Sequence, residues 1–171
     1  MMVSMTSRDW QAVLVELLNT TPVVDGAATD LLADDGAARA WLRRHGGDDD
    51  DDLHALRAVR RDLQRVVRGD AGADVLNRYV TSVRRAPVVK PGGLDWVYDG
   101  PIEWQARVVL AWGDVQNERP GRLRPCANDE CHLFLLDRSR GGTGRWCSMS
   151  GCGNRMKARR HYDRATGKSG D

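Results

Sequence analysis

Four cysteines carry the clearest chemistry in this chain, and all fall in its last third, as Cys126-Ala-Asn-Asp-Glu-Cys131 and Cys147-Ser-Met-Ser-Gly-Cys152. The two pairs have equal internal spacing, and fifteen residues separate them. A thiolate pair on a tight turn can bind one face of a tetrahedral ion; a second pair returning on a hairpin closes the other face and leaves no open coordination position. Such a closed site holds structure in place and does not activate water. Two disulfides and an iron–sulfur cluster are the rival readings. Disulfides suit small secreted domains, whereas four cysteine ligands alone do not exclude iron. His132 is a rival ligand, but alternation along a strand turns it away from its neighbour Cys131, so an exposed histidine is expected.

The last ligand leads straight into a basic helix. Cys152-Gly153-Asn154-Arg155 opens a segment, Met156 to Arg164, of good helix formers with neither Pro nor Gly before Gly167. Asn154 is the expected cap. At about 100° per residue, Lys157, Arg160, His161 and Arg164 share one face, and Arg155, Arg159 and Tyr162 another. One face is expected to pack and the other to meet an anion. Arg138, Arg140 and Arg145 place further cations on the hairpin between the cysteine pairs. Asp137 and Ser139 read as turn caps, and Arg155 has two readings, an ion pair with Asp137 or a reach to phosphate.

Charge divides the chain in the same place. The formal net charge is +2, yet residues 122–171 carry +6 and residues 1–121 carry −4. A basic segment beside an acidic one points to a polyanion partner. The first nineteen residues are interrupted by Arg8, Asp9 and Glu16 and do not form a secretion leader. No apolar run approaches the ~20 residues of a membrane span. Cytoplasmic residence is therefore expected, where thiols stay reduced and free for metal. There is no phosphate loop and no nucleophile elbow, and the four histidines (His45, His54, His132, His161) are scattered, so the expectation is a protein that is not an enzyme.

The elements that must position this chemistry follow from hydrophobic period. Trp10, Val13, Leu14, Leu17 and Leu18 give a first helix capped by Ser7. Ala37 to His45, stopped by Gly46-Gly47, gives a short one. Asp48 to Asp52 reads as a solvated loop whose charge suits the N-terminus of the longest helix, Leu53 to Arg68, with an apolar stripe and a basic outer face. A further helix is expected from Ala73 to Arg85. Period two around Gly92-Gly93 predicts a small hairpin between Pro87 and Gly100, and Ile102 to Asn117 predicts a last large helix. Phe134, between Leu133 and Leu135, is expected to seal a small core over the metal. Most tryptophans are expected in the core. Glu118-Arg119-Pro120-Gly121 is the natural boundary. The expectation is a mainly α domain over 1–117 with one small β-hairpin, followed by a module over 122–166.

Leu123-Arg124-Pro125-Cys126, Cys131, Phe134, Asp137-Arg138-Ser139-Arg140, Arg145-Trp146-Cys147-Ser148-Met149, Cys152-Gly153-Asn154-Arg155 and Lys157-Ala158-Arg159-Arg160-His161 resemble the CGNR zinc-finger family. Leu18-Asn19-Thr20, Asp25, Asp30-Leu31, Trp41-Leu42 and Leu56-Arg57 resemble the helical ABATE domain that usually precedes this bacterial module. Gly144 departs from the pattern, which has a basic residue before Arg145. The resemblance implies a treble-clef-like finger of β-hairpin and helix, Zn2+ held by Cys126, Cys131, Cys147 and Cys152, and a stress-response transcription regulator. DNA contacts are then expected from Arg155, Lys157, Arg159, Arg160, His161 and Arg164, with Arg138, Arg140 and Arg145. A homodimer and a small-molecule ligand of the helical domain are further expectations. The alternative reading is a non-enzymatic protein- or RNA-interaction adaptor that uses the same basic module.

Overall fold

The computed structural model describes residues 6–24 and 26–165, apart from the side chain of Asp163. Asp25 and residue 166 lie outside the described residues. The order of elements is α1 (Ser7–Leu18), β1 (Val23–Val24), β2 (Ala27–Ala28), α2 (Asp35–Arg44), α3 (Leu53–Arg68), a 3-10 segment (Ala73–Tyr79), β3 (Arg85–Lys90), β4 (Gly93–Tyr98), α4 (Trp104–Glu118), β5 (Leu123–Pro125), β6 (Phe134–Leu136), a π-helical turn (Met149–Gly153) and α5 (Asn154–Ala165). Each pair of consecutive strands forms its own antiparallel two-stranded sheet. The architecture is mainly helical with small β-hairpins, as the periodicity predicts.

Local chemistry sets the helix boundaries. Thr6, one residue earlier than expected, caps α1 in a reciprocal capping box with Asp9. Asp34 caps α2 and Asp52 caps α3, so the acidic run does serve the helix N-terminus that follows it. Past the left-handed Gly69 that ends α3, the expected helix over Ala73–Arg85 stops at Tyr79. Leu76 is deeply buried, Val75, Tyr79 and Val80 pack against the core beside it, and polar contacts add to the hold. Tyr79 donates its hydroxyl to Asp62 of α3 (2.8 Å), and Arg78 pairs with the same buried carboxylate. With too little apolar face to bury, a longer helix gains nothing from packing.

The core joins α1, α3 and α4 through Leu14, Leu17, Val59, Leu63, Val108 and Val115, all essentially inaccessible. Trp10 and Trp104 meet edge to face at 6.0 Å within it. Trp146 and Trp96 lie outside this core; Trp96 stands 52% exposed on the β3–β4 hairpin, with Val89 at 83% and Leu94 at 60%.

Polar clamps fasten the irregular segment 18–35 along α3. Arg60 grips Asp30 with two bonds of 2.5 and 2.7 Å and reaches Thr20; that guanidinium is what holds the Asp30 carboxyl below its ordinary range. Gln64 donates to the Leu18 carbonyl and to the Thr21 hydroxyl. Arg57 reaches the carbonyls of Leu32 and Ala33 and the Asp35 carboxylate. Part of the basic outer face expected of α3 is thus turned onto its own chain.

The β5–β6 hairpin enters this core. Leu123 (5% exposed) and Phe134 (1%) belong to the same buried cluster as the helices. Asn19, one residue past α1, brackets Phe134 from both sides: its Oδ1 accepts the Phe134 N–H at 2.7 Å and its Nδ2 donates to the Phe134 carbonyl at 3.1 Å. The Arg68 guanidinium lies 4.6 Å from the Phe134 ring centre and donates to the His132 carbonyl. Phe134 therefore seals the helical core, whereas the sequence suggested a small core over the metal.

This packing predicts that Phe134→Ala destabilises the whole helical unit by about 3–5 kcal/mol, the cost of emptying a buried aromatic site. Urea unfolding followed by far-UV circular dichroism checks it; a helical transition left unmoved by the substitution would separate the hairpin from the core.

Candidate metal centre

The β5–β6 hairpin carries the first cysteine pair in its connection. Cys126 follows β5 directly, its N–H bonded to the Leu133 carbonyl at 2.8 Å, and Cys131 lies three residues before β6. The second pair comes from the other end of the module, Cys147 ahead of the π-helical turn and Cys152 within it. All four Sγ atoms lie within 4.8 Å of one another. Cys147 Sγ stands 3.7 Å from both Cys131 Sγ and Cys152 Sγ. A metal–sulfur distance of about 2.3 Å gives a tetrahedron with edges of about 3.8 Å, whereas a disulfide needs about 2.05 Å. The donor set fits one tetrahedral zinc ion.

Thiols this close resist joint ionisation without a cation. Burial, reinforced by its neighbours, pushes Cys131 up to about 11, and burial likewise raises Cys147. For Cys152 burial also acts upward, but the Asn128 amide and the adjoining thiols outweigh it and leave the group lowered. Asn128 Nδ2 donates to Cys152 Sγ at 3.5 Å, and the Cys147 backbone N–H donates to Cys126 Sγ at 3.4 Å. Asn128 is buried, and its carbonyl accepts from Cys131 N–H in the turn between the first pair. Sequence reasoning passed over Asn128. Its signal was an Asx-type residue inside the cysteine turn, where a short amide can fold back on backbone and sulfur alike.

Behind Cys152 the chain runs without a break into α5. Asn154 has helical dihedrals and is not the cap; the Ser148 side chain takes that role, accepting from Gly151 N–H. Gly153 is buried beside Met149 and Trp146; a Cβ there would sit 2.9 Å from Met149 Sδ and 3.3 Å from Trp146 Cδ1 and would displace the end of the methionine. Apart from half-buried Met156, every described side chain of α5 is exposed, so the expected packing face is not buried.

Asp137 organises the loop between the cysteine pairs. It is 3% exposed and accepts from the backbone N–H groups of Ser139 and Gly144 and from Arg124 (2.7 Å), with Arg122 at 3.4 Å. Bonding to Ser139 first, then to Gly144 and the arginine charge, lowers its carboxyl to about 2. The partners are Arg122 and Arg124, and Arg155 is not among them. A Cβ on Gly144 would fall 2.8 Å from the Asp137 carboxylate, so a side chain there would press on this network.

The expected DNA-contacting residues lie in two places. Arg155, Lys157, Arg159, Arg160, His161 and Arg164 are exposed along α5. Arg159 approaches Glu130 at 3.5 Å, while Arg160 and Arg164 each lie back on a carbonyl one turn earlier. Arg138, Arg140 and Arg145 are exposed on irregular chain after β6, not on a hairpin. Arg145 stacks over Trp146 at 5.2 Å. His132 is exposed and outside the thiol cluster.

Two outcomes follow. The purified protein carries about one zinc, and chelation strips amide-exchange protection from 147–165 while the buried β5–β6 hairpin keeps its own, because a bare 12-residue helix is marginal in water; iron in elemental analysis, or hairpin and helix lost together, would contradict this. The lowered Asp137 stabilises the fold fully above the ordinary 3.8, and that contribution is lost as pH falls toward about 2. Asp137→Asn should therefore melt below the native chain at pH 5, with the gap closing across that window.

Comparison with known families completes the site. The CGNR zinc finger model matches residues 122–165. The ABATE model, described as "Putative stress-induced transcription regulator", matches residues 11–133. The matches overlap across β5 and the first cysteine pair. No curated protein matches the chain. No described helix is long and apolar enough to cross a membrane. With the ABATE match spanning well over half of its length, the chain belongs to the ABATE family and carries a CGNR zinc finger whose four clustered cysteines fit Zn2+.

Proposed function

We propose that the protein is a DNA-binding transcription regulator in which zinc held by Cys126, Cys131, Cys147 and Cys152 fixes the root of α5, and α5 presents its cations to duplex DNA. The observation that carries this reading is the exposure of α5 on all sides. A helix with five Lys or Arg residues and no apolar face to bury finds its counterpart in a polyanion. Phosphate contacts from Lys157, Arg160 and Arg164 supply most of the affinity, and arginine contacts to guanine edges supply sequence preference. Arg138, Arg140 and Arg145 extend the same positive surface beyond α5.

The module over 122–166 acts as the DNA-reading unit and the helices before it as the regulatory unit, joined through the shared β5–β6 hairpin. The exposed apolar face of β3–β4 supports a role for the helical unit in association, and a dimer would give one small finger the paired sites it needs. A cleft of about 730 Å³ between the β1–β2 hairpin and the thiol cluster, lined by Val23, Ala28, His132 and Arg155, offers room for a ligand.

Replacing Lys157, Arg160 and Arg164 together by Ala is expected to lower the slope of log K against log salt by roughly 2.7, at about 0.9 per phosphate contact on duplex DNA. Zinc content stays unchanged, since none is a ligand. Fluorescence anisotropy across a salt series reads the slope. An unchanged slope removes this face from the interface. A native chain that binds no duplex at low salt favours the adaptor reading instead.

A further inference from the structure

Helix α3 has five arginines between Arg57 and Arg68, and they divide into two groups. Arg57 and Arg60 are spent on the chain's own carbonyls and carboxylates, and Arg68 on the Phe134 ring and the His132 carbonyl. Arg61 and Arg65 are exposed, and neither side chain has a hydrogen bond, ion pair or ring contact among the described residues. They stand one turn apart, about 6 Å along the axis, and Arg68 continues their line at about 4.5 Å further.

That line runs to the zinc module. Arg68 bonds the carbonyl of His132, and His132 lines one cleft together with Cys152 and Arg155, where α5 begins. His132 thus borders both the end of α3 and the cleft at the root of α5.

We propose that Arg61 and Arg65 form a second phosphate-contacting surface, on the helical unit, so that duplex DNA is gripped across α3 and the zinc module together. This rests on the DNA-binding reading above and adds to it that the ABATE part touches the nucleic acid itself. Its orientation on the duplex is then fixed by contacts on both sides of the His132 junction, as backbone contacts generally fix register.

The test is Arg61→Ala/Arg65→Ala in the full zinc-loaded chain, with Arg8→Ala/Arg44→Ala as a control of equal charge. Arg8 lies in the first turn of α1, far along that helix from Asn19, and Arg44 closes α2; both are exposed, and among the described residues neither side chain contacts the module. Alanine is at least as good a helix former as arginine, so α3 should persist, and unchanged zinc content and urea midpoint verify it. Anisotropy with a duplex across a salt series is expected to give a slope smaller by roughly 1.8 for the α3 variant, at about 0.9 per phosphate contact, and the native slope for the control. An α3 variant with the native slope, or a control that loses as much, overturns the second surface while leaving the zinc-module reading intact. A native chain that does not bind duplex overturns both.

Discussion

The burial of Phe134 is the contact on which the arrangement of this protein turns. Its ring fills the core formed by α1, α3 and α4, and its backbone is bracketed by the Asn19 amide. A buried backbone N–H and C=O at an irregular join must find partners, and one asparagine side chain supplies both. Because β6 begins at Phe134 and β5 pairs with it in register from Leu123 to Pro125, fixing this residue fixes the hairpin. The turn that carries Cys126 and Cys131 is fixed with it.

The metal centre is consequently built from two unequal halves. The first pair of thiols stands on a hairpin stabilised by the helical core, while the second stands on chain with little apolar surface of its own. Closing the tetrahedron joins the two. Asn128, Ser148 and the Asp137 network shape the loops around it, and each works by satisfying backbone groups in a region too small for a hydrophobic core. Beyond Gly153 the described chain buries little, and α5 continues from the site with most of its side chains exposed.

Charge follows the same division. Within the helical unit, three arginines are neutralised by partners that fasten the fold: Arg60 by Asp30, Arg57 by Asp35, Arg78 by Asp62. These contacts hold the irregular segment 18–35 and the 3-10 segment against α3. On α5 and the loop after β6, intramolecular partners are sparse, and the positive field is directed outward. A regulator that grips a polyanion benefits from this arrangement, since cations already paired within the fold release few counterions on binding.

The sequence by itself determined the ligand set, the helical class and the position of most elements, because each depends on local spacing. Four cysteines at matched intervals, apolar residues at period 3.6 and a glycine-centred hairpin are visible without knowing what touches what. The Asp52 cap and the turn roles of Asp137 and Ser139 were legible for the same reason. Tertiary structure alone decided the rest. Asn19 and Phe134 are 115 residues apart, and no periodicity links them. The arginines of α3 look alike in sequence, yet the partners brought to them by segment 18–35 make Arg57 and Arg60 structural and leave Arg61 and Arg65 free. The expected helix beyond Tyr79 failed because helix propensity is worth little without an apolar face to bury, and the described side chains of α5 are left exposed apart from half-buried Met156. Local pattern fixes which conformations are available; long-range burial and pairing decide which side chains are consumed by the fold and which remain for a partner.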